Sequence, residues 1–256
     1  MKINSRVLLI GLCLALLIAV SAFSQGLYWE STTTGGPMGD KGSASQSFAM
    51  PKMFKIVNPT TVMIIRMDQE KVYTIDPAKK TYSEMTFADM EAFAKKAGDR
   101  MAQMKEQMKN MPPEQRKQME AMTSMMGGGA EVPVEISATG ETKTVGGFKC
   151  AKYVVKRGGK EIMTMWATKD LAGFENLRKD WMEFGKRMAS LTKMSGLGEA
   201  YQKIEGFPME TDMDMMGKTM TTTVTKVEKK STAASEFTVP AGYTKAESPL
   251  KEPAGH

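Results

Sequence analysis

The chain has 256 residues, 41% of them hydrophobic and 25% charged, a composition that fits a folded globular protein and excludes a disordered tail or a bundle of membrane helices. Its single histidine, His256, is the last residue, so no interior imidazole exists for a Ser-His-Asp triad, a Cys-His pair or a histidine-rich zinc site. The net charge of +6 is dispersed: Arg178 with Lys179, and Lys226 with Lys229 and Lys230, are interrupted by Asp or Glu, whereas a nucleic-acid surface needs a concentrated stripe. No nucleic-acid partner is expected.

Lys2 and Arg6 precede the apolar run Val7 to Val20, and small residues surround a break after Ser24. This is the pattern of a secretory signal peptide over residues 1–24, and the apolar stretch is at the short limit for a membrane span. Cys13 lies within that run behind Leu12, so it is not a lipid-attachment site. A periplasmic protein with no transmembrane segment after cleavage is expected. Cleavage leaves Cys150 as the one cysteine; without a partner for a disulfide or a histidine to activate it, it reads as a small buried hydrophobe on a strand.

A first strand is predicted over Leu27 to Thr34 and, after the Gly35 to Gly42 connection, a second around Ser47 to Val57. Thr61–Met67, Lys71–Asp76 and Lys79–Met85 are short β-rich segments joined by turn residues, which predicts an antiparallel meander. The period then lengthens. Thr86 can cap a helix with apolar residues at Phe87, Met90, Ala94, Ala97, Met101, Met104, Met108 and Met111, and Met119, Met122 and Met126 continue an apolar face beyond Pro112-Pro113 until Gly127. Val132 to Thr139, Thr142 to Val155 and Lys160 to Ala167 are β segments, the last two joined by a hairpin at Gly158-Gly159.

Thr168 is read as the cap of a second long helix carrying Leu171, Phe174, Leu177, Trp181, Phe184, Met188 and Leu191, loosened at Gly196 and Gly198. Phe207 to Met215 alternates apolar residues with Pro208, Glu210, Asp212 and Asp214, and Thr219 to Glu228 returns beside it. The acidic row is read as a solvated strand face rather than a metal site. Ser235–Val239 is read as a short edge strand and residues 245–256 as a flexible tail. Antiparallel β blocks with inserted helices predict an α+β fold in which helices cover one face of a sheet, and residues 25–244 form one domain.

Several strings resemble a known group: VYTIDPAKKTYSEM (Val72 to Met85), GGFKCAKYVV (Gly146 to Val155), MWATKDLAGFENL (Met165 to Leu177) and FTVPAGY (Phe237 to Tyr243). They look like the bacterial domain of unknown function numbered 4412, a family similar in turn to the periplasmic lipoprotein carriers of the LolA and LolB type. The resemblance implies a curved antiparallel half-barrel with long helices on its concave face. It implies no catalytic residues.

Methionine is abundant, 26 residues in all, with nine from Met90 to Met126 and five from Met209 to Met220. Flexible thioethers suit an apolar pocket for variable acyl chains, and they also favour Cu(I) or simply fill a core. The pocket reading places Met101, Met104 and Met108 opposite Phe184 and Met188. Trp29, Trp166 and Trp181 are read as core. The sequence therefore predicts a monomeric, non-enzymatic periplasmic protein without a metal or cofactor, holding a lipid or lipoprotein acyl chain. The alternatives are a Met-based copper binder and an envelope interaction module with no small ligand.

Overall fold

A computed structural model describes residues 24–36, 42–109, 111–112, 114–116, 134–187, 203–215 and 217–247. Residues 1–23 of the expected signal segment, Met119 to Gly129, Met188, Leu191, Gly196, Gly198 and the tail beyond residue 247 lie outside the described residues. The strands are β1 (Ser24–Gly35), β2 (Ser43–Met50), β3 (Met53–Val57), β4 (Val62–Arg66), β5 (Lys71–Asp76), β6 (Thr81–Thr86), β7 (Val134–Val145), β8 (Phe148–Arg157), β9 (Lys160–Thr168), β10 (Phe207–Met215), β11 (Lys218–Thr232) and β12 (Thr244–Lys245). They form one large, open, curved sheet in the order β12-β6-β5-β4-β3-β2-β1-β11-β10-β9-β8-β7. Every pairing is antiparallel except β12 with β6. Among the described residues the run of strands is interrupted by the long helices α1 (Phe87–Lys109) and α2 (Phe174–Arg187).

The expected meander is β4 to β6. The segment Ser47 to Val57, read as one strand, is a hairpin: Met50 faces Met53 across Pro51-Lys52, and Lys52 has φ +59°. Proline followed by a positive φ is the type II turn pattern. A second hairpin divides the segment Thr142 to Val155 at Gly146-Gly147, where φ values of +56° and +85° suit a two-residue type I′ turn. Gly158-Gly159, with φ values of +58° and +78°, makes the expected one.

Strand registers explain the core. Met85, Val72, Ile65, Phe54, Ala49 and Leu27 are successive cross-strand partners from β6 to β1, so one row of apolar side chains crosses six strands. Phe87 and Met90 of α1 and Leu177 of α2 pack on this row. The other face has its own cluster, Met50, Ile64, Ile75 and Phe237. Because both faces are covered, β4 carries the unbroken apolar run Val62-Met63-Ile64-Ile65 instead of an alternation.

Thr86 caps α1 as expected. The Asp89 amide donates to Thr86 Oγ1 at 3.0 Å, and the Thr86 amide and hydroxyl donate to Asp89 Oδ2 at 3.0 and 2.7 Å, a capping box closed by aspartate. The second cap is a correction. Thr168 ends β9, where it pairs with Phe207, and its Oγ1 accepts the Asp170 amide at 3.1 Å in the following loop; α2 starts only at Phe174.

The C-terminal expectations are also corrected. Ser235 to Val239 is not an edge strand, because a 3-10 turn over Ala234–Phe237 drives Phe237 into the core. Thr244, the last residue of the expected domain, and Lys245, the first of the expected tail, add a short parallel strand beside Thr81 and Tyr82.

Candidate functional site

Helix α2 carries Phe174, Leu177, Trp181 and Phe184 at steps of three and four, so these side chains form one stripe. The stripe crosses the sheet. Phe174 meets Phe207 edge-on at 5.2 Å between ring centres, and Phe207 meets Trp29 of β1 at 5.4 Å. Trp181 stands edge-on to Phe54 of β3 at 5.1 Å, and Phe184 lies 5.7 Å from Phe87 of α1. Asp180 also fastens the helix, accepting the Lys52 backbone amide at 2.7 Å in the β2–β3 turn.

Between α2 and the sheet lies a cleft of about 250 Å³. Its walls are predominantly apolar: Leu27 and Trp29 of β1, Phe54 of β3, Leu177 and Trp181 of α2, and Phe207 at the start of β10, with smaller contributions from Ala49, Pro208 and Val224. Two polar side chains of the wall have partners within the sheet. Ser31 shares a hydrogen bond with Ser45 at 2.8 Å, and Thr222 shares one with Thr33 at 2.9 Å. Among the described residues, Arg178 is the one ionisable side chain that lines the cleft.

Of the expected ligand residues, Met104, Met108 and Phe184 have described side chains. Phe184 packs against the cluster that forms one end of it, next to Trp181. Met104 is half-buried and Met108 buried on the last turns of α1, and neither is among the cleft's lining residues. The side chain of Met101, and all of Met188, fall outside the described residues. Buried methionines recur in every core cluster: Met67 and Met90, Met163 and Met165, Met209, and Met50.

Sequence reasoning missed the tryptophans as a wall. Trp29 lines the cleft while packing on two clusters, and Trp181 is 41% exposed, which corrects its reading as core. Trp166 is half-buried beneath Lys143, whose ammonium lies 4.3 Å from the ring centre.

The acidic row of β10 is paired rather than merely solvated: Glu210 with Lys143, Asp212 with the Thr221 hydroxyl at 2.6 Å, and Asp214 with Lys160 at 3.1 Å. The Lys160 ammonium, with the Gly217 amide, holds the Asp214 carboxyl below its ordinary range. No cluster of three or more metal-ligating His, Cys, Asp or Glu side chains occurs among the described residues.

Cys150 is fully buried on β8, and burial pushes its thiol above the ordinary range, the opposite of what a nucleophile requires. Cys150→Ser should cost about 1–2 kcal/mol through lost apolar packing and a buried hydroxyl. Denaturant unfolding measures that loss; a variant of unchanged stability that no longer binds ligand would assign the thiol a function instead.

A family model described as a domain of unknown function (DUF4412) matches residues 101–243, more than half of the chain. The chain belongs to the DUF4412 family. No curated protein matches it. Among solved structures it is similar to PNGF-II, with 12% identity and a TM-score of 0.38 over 87% of this chain and 31% of that one.

A Pseudomonas aeruginosa MucA/MucB complex gives 6% identity and a TM-score of 0.39 over 86% of this chain and 58% of that one. The LolA superfamily protein NE2245 from Nitrosomonas europaea gives 4% identity and a TM-score of 0.27 over 85% and 91%. This DUF4412 chain thus spans about a third of PNGF-II and somewhat more than half of the matched chain of the MucA/MucB complex.

Proposed function

We propose that this DUF4412 protein is exported to the periplasm, released by cleavage after Ser24, and holds an acyl chain or another apolar ligand without catalysing a reaction. The observation that carries the reading is the apolar cleft between α2 and the sheet. In this reading the helices cover the concave face of a half-barrel, residues 25–244 act as one domain, and the protein works as a monomer. A chain entering the cleft leaves water and gains about 0.8 kcal/mol per buried CH₂. The ordered aromatic walls are built before the ligand arrives, so little side-chain entropy is lost on binding.

Export is supported by Lys2, Arg6 and the apolar run after them. Cleavage after Ser24 leaves Gln25 to Gly35 to pair with β2 and β11. Among the described residues no helix is long and apolar enough to cross a membrane.

Native mass spectrometry of the protein recovered from its own envelope tests both halves. The expected result is a polypeptide of residues 25–256 carrying a non-covalent lipid that an organic solvent removes. An intact amino terminus would reject the cleavage. A bound metal ion in place of lipid, or a bare polypeptide that takes up no acyl probe, would overturn the ligand.

A further inference from the structure

Arg178 stands on α2 directly after Leu177, with 24% of its side chain exposed. Its Nη1 is 3.5 Å from the Glu175 carboxylate one turn back, and Nη2 donates to the Ile204 carbonyl oxygen at 3.3 Å. Both contacts are long. The Glu175 side chain is 70% exposed, and an ion pair with so exposed a partner is weak enough for a ligand to displace.

The guanidinium carries five N–H donors in a planar fork, so two long contacts leave capacity for an acceptor. Nearby, Lys169 and Glu205 are paired with each other. Lys169 holds the Glu205 carboxyl below its ordinary range, and the more distant Arg178 charge adds to that effect.

A positive charge is thus fixed beside walls made of Trp29, Phe54, Leu177 and Phe207. A wholly apolar ligand would leave that charge facing hydrocarbon, which costs free energy. An anionic head would instead receive the fork in two parallel hydrogen bonds while its chain follows the walls.

Size narrows the choice further. At about 250 Å³ the cleft exceeds the ~150 Å³ cavities that accept benzene but falls below the roughly 300–1,000 Å³ of sites for bulkier ligands. It has room for a segment of one chain, not for several side by side.

We infer that the cleft takes a single-chain amphiphile with an anionic head, carboxylate or phosphate, seated on Arg178. The inference rests on the apolar-ligand reading above and is tested apart from it. Dodecanoate, dodecyl phosphate, dodecanol and dodecyltrimethylammonium are titrated calorimetrically into the full chain, its Arg178→Gln and its Arg178→Lys variants.

In the wild type the anionic ligands should bind at least about tenfold more tightly than dodecanol, because the guanidinium gives a charged head charge-assisted hydrogen bonds that a neutral hydroxyl does not receive. Arg178→Gln should erase that advantage and leave dodecanol unchanged, and Arg178→Lys should keep part of it. The ratio of dodecanoate to dodecyl phosphate identifies the preferred head. Equal affinities for dodecanoate and dodecanol in the wild type, or a preference for the ammonium, would overturn the inference while the apolar-ligand reading stands. Failure of all four to bind would remove both.

Discussion

Phe237→Ala should destabilise the protein by about 3–5 kcal/mol, the usual cost of deleting a large aromatic side chain from a closed core. Phe237 has no exposed surface and sits among Met50, Ile64 and Ile75, with Tyr73 and Tyr82 around them. The site has little freedom to collapse after truncation. The 3-10 turn is tied down by Arg66, whose Nη1 donates to the Phe237 carbonyl oxygen at 3.2 Å, and by a 3.1 Å ion pair between Lys55 and Glu236.

The substitution therefore tests whether the C-terminal segment is structural, closing the face of the sheet opposite α2. Denaturant unfolding checks it, and a loss below about 1 kcal/mol would show that β3 to β5 are stable without that cover. Acyl-probe binding to the folded fraction should be unchanged, since Phe237 and the cleft lie on opposite faces.

The strands were legible where one face is dry and the other wet, or where a turn has its own chemistry. Gly158-Gly159 announces its hairpin, and Thr86 announces the start of α1. Pro51-Lys52 was harder to read, because lysine at φ +59° carries no sequence signature and the flanking residues continue a strand pattern. Thr168 misled for a related reason. Its hydroxyl accepts a local amide as a helix cap would, but the strand pairing Thr168–Phe207 holds the backbone extended and delays α2 to Phe174. Phe237 was read on the right residue in the wrong conformation: FTVP has β propensity, and tertiary burial overrides it.

The site was half legible. The stripe Phe174, Leu177, Trp181, Phe184 follows from spacing alone, but spacing does not say which strands it will cross. Long-range register decides that, and it brings Leu27, Trp29 and Phe54 beneath the helix. The methionines of α1 gave the strongest periodic signal in the chain, yet periodicity marks an apolar face, whether that face meets a ligand or the protein itself. Arg178 was visible only as half of a basic pair with Lys179. On a helix, neighbours in sequence point about 100° apart, so one of the two can reach the cleft while the other faces water.

Gly206→Ala should produce the second large effect, a loss of about 3 kcal/mol or more together with weaker acyl-probe binding. Gly206 lines the cleft at φ +101°, a conformation that costs a residue with a side chain about 1–3 kcal/mol. A Cβ there would lie 2.3 Å from the Thr168 carbonyl oxygen and 2.7 Å from its carbon, both of them backbone atoms. Neither can rotate away. Relief requires the ends of β9 and β10 to part, which moves Phe207 off Thr168 and away from its edge-on contacts with Trp29 and Phe174. One methyl group thus disturbs both the sheet and the cleft wall.

Gly147→Ala provides the control. Gly147 also has a positive φ, +85°, but a Cβ there meets nothing within 4 Å, so it should cost only the backbone strain, about 1–2 kcal/mol, and spare binding. Unfolding free energies and probe affinities for the two variants separate strain from collision. Equal losses with equal binding would show that β9 and β10 yield easily at Gly206, and that the cleft wall does not depend on their close approach.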